Sequence, residues 1–229
     1  MPSLFQSTGA CTRQKCSTVT KCLWALLLIG LCLGSFLADD AVAAFFMRLH
    51  SHSLNKGAAF MNCVGDWPFH TALGLASAGV AWWARRKDLA RLFLAMVLAS
   101  SMAGVAVNAV RFTTGRPRPN AHVQDGFYGL KKDGRWIGLE NRYKSFPSAH
   151  TATAAAFAGV ALFAGIRGGW LIALFGPLVG CARIYSQAHH FSDVVTATVL
   201  GLLFSCWAWR FVERRWGDSK EKPCRAPLP

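Results

Sequence analysis

The chain has 229 residues, 53% of them hydrophobic, and a formal net charge of +14. That length suits one domain, and apolar residues gathered into long uncharged blocks exclude an ordinary soluble enzyme. So basic a balance would point to nucleic acid in a soluble protein. Here it follows from the bias of lysine and arginine toward the cytoplasmic ends of membrane segments, and no nucleic-acid partner is expected.

Residues 1–20 are polar and rich in Ser and Thr, as a cytoplasmic tail would be. Lys21 precedes the uncharged block 23–37, which is read as a retained first spanning helix. The alternative is a secretory signal cut at Ala41-Val42-Ala43-Ala44. Asp39 and Asp40 fall at the outer end of this segment and are expected to reach interfacial water. Residues 45–66 mix charged and apolar side chains in the manner of an amphipathic interfacial stretch. Uncharged blocks at 67–84, 92–110, 150–166, 170–182 and 194–208 complete the set. About 20 helical residues at ~1.5 Å rise cross a hydrocarbon core, and most blocks reach that length with their polar ends. The block at 170–182 carries Gly176-Pro177 and is the least regular.

The predicted fold is therefore all-α, a polytopic bundle of six transmembrane helices in one domain over residues 21–216. A second cytoplasmic tail follows at 217–229. Arg85-Arg86-Lys87-Asp88 and Gly168-Gly169 mark turns on the cytoplasmic side, and Trp24, Trp67, Trp82, Trp83, Trp170 and Trp209 fall near helix ends. The long connection 111–147 is placed outside the cytoplasm, with Asp133-Gly134 as a hairpin turn. The eight cysteines show no spacing for zinc and read as small apolar residues.

Three polar clusters interrupt this pattern. They are Arg111 with Arg118-Pro119, then Pro147-Ser148-Ala149-His150, then Arg183 with His189 and Asp193. The exits of the third and fifth predicted helices share a face with the entrances of the fourth and sixth, so topology alone brings the clusters to one side. Arginine forks suit phosphate oxygens and keep their charge. Ser148 and the N–H groups of Ala149 and His150 open a helix, an anion-binding end. His189 and Asp193 are four residues apart and face the same way, so the carboxylate can fix the imidazole for attack. His150 is then the natural acid for the leaving oxygen. His190 could be confused with His189, but the spacings to Arg183 and Asp193 favour His189. Arg116 reads as a nearby solvated or supporting charge.

The constellation resembles the type 2 phosphatidic acid phosphatase (PAP2) superfamily, which includes vanadium haloperoxidase-like relatives. Its pattern is K-x6-R-P, P-S-G-H and S-R-x5-H-x3-D, matched at 111–119, 147–150 and 182–193. Arg111 replaces the usual lysine, Ala149 a glycine and Ala182 a serine, and no reacting group is lost. The resemblance implies a haloperoxidase-like helical core and a phosphohistidine on His189, oriented by Asp193, with His150 as general acid. It further implies phosphate held by Arg111, Arg118, Ser148, Ala149 and Arg183, with no metal and no cofactor.

The expected protein is a lipid phosphatase of a bacterial inner membrane, acting on a phosphorylated lipid at the outer face. Undecaprenyl pyrophosphate is the preferred substrate over the 1-phosphate of lipid A, phosphatidylglycerophosphate and phosphatidate. A transporter would carry its ionisable residues through the middle of the helices rather than at their ends. A vanadate-holding haloperoxidase does not fit the membrane helices, and a silent scaffold does not fit a full set of reacting groups.

Overall fold

A computed structural model describes residues 18–49 and 51–217. Most of the two polar tails, and Cys11, Cys16 and Cys224, lie outside the described residues. The helices are α1 (Thr18–Ser35), α2 (Asp39–Arg48), α3 (His52–Val64), α4 (Trp67–Trp83), α5 (Lys87–Thr114), α6 (Ala149–Phe163), α7 (Gly169–Ala173), α8 (Phe175–Tyr185) and α9 (Phe191–Trp216). Among the described residues, three stretches are long and apolar enough to cross a membrane: Thr18–Arg48, Lys87–Ala121 and Phe191–Trp216. Ala149–Phe163 and Gly169–Tyr185 are shorter apolar helices. The expected fifth segment is two helices, α7 and α8, divided beside Gly176-Pro177.

The centre of the bundle is α6. Every residue from Thr151 to Ala161 is buried, which is how a helix apolar on all sides is accommodated. Its alanines allow α5 and α9 to pack closely on either side. The core joins Leu92, Met96 and Ala99 of α5 with Phe157 and Val160 of α6 and Ala208 and Val212 of α9. Small residues let backbones approach, a device common between membrane helices. At Gly201 of α9 an added Cβ would lie 2.7 Å from the Ala152 carbonyl oxygen and 2.8 Å from the Ala155 Cβ. Gly201→Val is therefore expected to lower the thermal midpoint in detergent by the equivalent of about 1–3 kcal/mol. An unchanged melting curve would refute this packing. By contrast, Leu23, Trp24, Leu26 and Leu27 of α1 are exposed and apolar, a surface fit for lipid.

The 111–147 connection is ordered. β1 (Lys131–Lys132) and β2 (Arg135–Trp136) pair antiparallel around Asp133-Gly134, with positive φ at both turn residues as that hairpin type requires. The connection leaves α5 at Gly115, φ +60°, where a Cβ would run into the Gly129 carbonyl. Only glycine fits such a turn at low cost.

Candidate active site

The three polar clusters meet around the segment Lys144–Ser148. Arg111, at the end of α5, donates from Nε and Nη2 to the Lys144 carbonyl at 2.9 and 2.7 Å. His189 Nδ1 lies 2.8 Å from the Ser145 carbonyl oxygen. The Ser145 hydroxyl donates to Asp193 Oδ2 at 2.5 Å, and the Ser148 N–H donates to the Asp193 carbonyl at 3.2 Å. Ser145 belongs to none of the sequence clusters. No local pattern marks it, because its role comes from the loop that folds back onto α9.

His189 sits in the turn before α9 and is 2% exposed. The partner of its Nδ1 differs from the expectation: Asp193 Oδ2 is 3.5 Å away, and the Ser145 carbonyl makes the close contact. A carbonyl can only accept, so Nδ1 carries the proton and Nε2 keeps its lone pair. Burial pushes the imidazole down to about 4, against the raising effect of Asp193 and aided by the charges of Arg183 and Arg111. At neutral pH the ring is unprotonated. His190 is the N-cap of α9 instead, its N–H donating to Asp193 Oδ2 at 2.8 Å.

The arginines converge electrostatically. The charges of Arg118 and Arg183 both act on Arg111, and all three act on His150. Arg118 donates from Nη2 to Asn141 Oδ1 at 3.0 Å. The Nε atoms of Arg118 and Arg183 are buried, and neither has a hydrogen-bond partner among the described residues. Buried donors are costly without an acceptor, and two beside a cluster of positive charge suit an anion. Ser148 is fully buried and caps α6, accepting from the Thr151 hydroxyl at 2.9 Å and its N–H at 3.5 Å. Its own hydroxyl proton remains available. As the first residues of α6, Ala149 and His150 have no intrahelical acceptor for their N–H groups.

Arg116 is the supporting charge of the two alternatives the sequence offered, and the expectation for Asp39 fails. Arg116 is not solvated; it is 1% exposed and is the hub of a buried network. It donates to Asp193 Oδ1 and Asp39 Oδ2, both at 2.8 Å, to Ser192 Oγ at 2.7 Å, and to both oxygens of Asp125 at 3.0 and 2.7 Å. Phe36 and Phe127 lie over the guanidinium carbon at 5.0 and 5.4 Å. Asp39 does not reach interfacial water but is buried, accepting from the Ser192 N–H at 2.7 Å and hydroxyl at 2.6 Å. A carboxylate beside a membrane segment was the available signal, and its pairing with a remote arginine outweighs the pull of water. Asp39, Asp125 and His190 could present ligand atoms to a cation, but Arg116 already supplies positive charge to both carboxylates. Burial disfavours the ionised Asp125, yet Arg116 prevails and holds that carboxyl below its usual range.

The sequence model of the PAP2 superfamily matches residues 88–217, more than half of the chain. The chain belongs to the PAP2 superfamily. That span contains all three clusters. Lipid phosphate phosphatase 1 of Arabidopsis thaliana is 26% identical over 162 residues, covering 57% of this chain and 49% of the plant protein. Undecaprenyl-diphosphatase BcrC of Bacillus subtilis is 36% identical over 67 residues, 29% of this chain and 35% of that protein. The chain spans about half the length of the first curated relatives it matches. A Bacillus subtilis transmembrane PAP2-type phosphatidylglycerolphosphate phosphatase shares the PAP2 fold, with TM-score 0.61 and 20% identity over 84% of this chain and 96% of that one. Aquifex aeolicus LpxE aligns with TM-score 0.54 and 18% identity over 75% and 94%. With three helices fit to span a bilayer, this PAP2 member is an integral membrane protein.

Proposed function

We propose that the protein is a lipid phosphatase that removes a phosphate or pyrophosphate from a lipid head group through a phosphohistidine. The observation that carries this reading is the pair of buried Nε donors on Arg118 and Arg183, without a hydrogen-bond partner among the described residues, beside an unprotonated His189. His189 Nε2 attacks phosphorus as the P–O bond to the lipid breaks, and the leaving oxygen takes a proton from His150. Water then attacks the phosphohistidine, its proton passes to His150, and His189 is released neutral. Asp193 balances the charge on the phosphorylated ring. Arg111, Arg118, Arg183, Ser148 and the N–H of Ala149 hold the phosphoryl oxygens, where stabilising charge dominates catalysis. No step calls on a metal ion or a cofactor.

On this reading α4, α6 and the α7–α8 pair join the three long spans as six crossings, and the site works at the outer face of a bacterial inner membrane; the bias of lysine and arginine toward the opposite ends of the helices supports it. Undecaprenyl pyrophosphate is the preferred substrate, supported by the similarity to a diphosphatase of that lipid. The longer match to a plant lipid phosphate phosphatase favours a lipid monophosphate as the second reading. The test is release of inorganic phosphate from each lipid by the full chain in detergent containing a chelator. Turnover is expected with undecaprenyl pyrophosphate foremost, and silence on every lipid phosphate would overturn the reading. Because the charge on His189 is suppressed to about pH 4, kcat/KM should show no acid limb from this group near pH 6.5. A limb there would refute the neutral nucleophile.

A further inference from the structure

We propose that Asp66 is a positioning residue for the general acid, its carboxylate favouring the proton-donating form of His150 against the cations around it. The inference rests on the phosphatase reading above. Asp66 is the N-cap of α4, where Oδ1 accepts from the Trp67 N–H at 2.9 Å. That bond fixes the carboxylate, and the same oxygen lies 3.5 Å from His150 Nε2. The four charged groups acting on His150 are Arg183 of α8, Arg111 of α5, Arg118 beyond α5, and Asp66. Three of the four are cationic and oppose an imidazolium. Burial opposes it further, so the ring is neutral before substrate enters. Asp66 is the one anion among these groups, and an anionic phosphate entering beside the ring joins it in favouring the imidazolium that the leaving oxygen needs.

The geometry gives each ring nitrogen a task. An imidazolium carries N–H on both nitrogens. Nε2–H faces Asp66, while Nδ1–H has no acceptor among the described residues and is left for the leaving oxygen. When the P–O bond breaks, Nδ1 gives up its proton and the ring becomes neutral. Water attacking the phosphohistidine returns a proton to the ring, and Asp66 favours that return. Asp66 is half-exposed and within reach of interfacial water.

The test is Asp66→Asn in the full chain, which keeps the capping oxygen and removes the charge. The alkaline limb of kcat should move to lower pH by about one unit, with kcat at neutral pH falling about tenfold. KM for the lipid phosphate should not rise, because losing a negative charge does not weaken anion binding. Asp66→Glu should restore part of the limb, which a mere loss of helix cap would not do. Superimposable pH profiles for Asp66→Asn and the unaltered protein would overturn the proposal. If Asp66→Asn unfolds, an Asp66→Glu profile identical to that of Asp66→Ala would overturn it as well. His150→Gln separates the two levels: full activity in that variant would sink the underlying site reading, whereas inactivity with an unmoved Asp66→Asn limb would sink this proposal alone.

Discussion

His189→Ala is expected to reduce phosphate release by about 10⁴-fold or more while leaving the protein folded. The ring is buried, its Nδ1–H is fixed on the Ser145 carbonyl, and its Nε2 is free to attack. No neighbouring group can take over, since His190 is held as the cap of α9, its Nε2 3.2 Å from the Pro117 carbonyl oxygen. An alkaline quench during turnover should trap labelled phosphohistidine in the unaltered chain and none in the variant. His190→Ala should keep its activity within about tenfold, losing mainly a cap. Normal turnover by His189→Ala, or its loss only in His190→Ala, would remove the nucleophile assignment.

The second large effect is expected from Arg116→Ala. One guanidinium serves Asp39, Asp125 and Asp193, and two of these carboxylates are buried. Removing the cation leaves uncompensated charge in a low dielectric, at a cost of about 3–5 kcal/mol. Asp193 is then drawn from its place beside His189, so activity should fall together with the thermal midpoint. Arg116→Lys keeps the charge but cannot reach three carboxylates with one ammonium, and should recover little. Asp39→Asn retains an oxygen for the Ser192 N–H and should cost less than Arg116→Ala. The two changes should be non-additive in a double-mutant cycle. Additive losses, or an Arg116→Ala protein that melts and turns over normally, would show that the network does not support the site.

Much of this was legible in the sequence. Charge-free blocks located the helices because burial and lipid both demand apolar surface over whole turns, and Asp133-Gly134 marked its hairpin because two consecutive positive φ angles favour those residue types. The three clusters, expected on one face, do meet around Lys144–Ser148. What escaped the sequence is long-range. Spacing treats Arg116 as surplus, since nothing local reveals that Asp39 and Asp193 approach it from opposite ends of the chain. Ser145 contributes a carbonyl to His189, and carbonyls leave no trace in residue identity. Asp66 was one charge in a mixed stretch until α6 was laid against the start of α4. The division of α7 from α8 was visible at Gly176-Pro177 only as irregularity.

The bond from Asp39 to Ser192 links positions 153 residues apart. The segment that ends at Asp39 therefore completes the entrance to α9, and a nascent polypeptide stays enzymatically mute until α9 has been released and inserted. A fragment ending earlier would retain several well-packed helices and still be unable to strip phosphate from the lipids around it. Catalytic competence thus waits on the meeting of two distant stretches of chain.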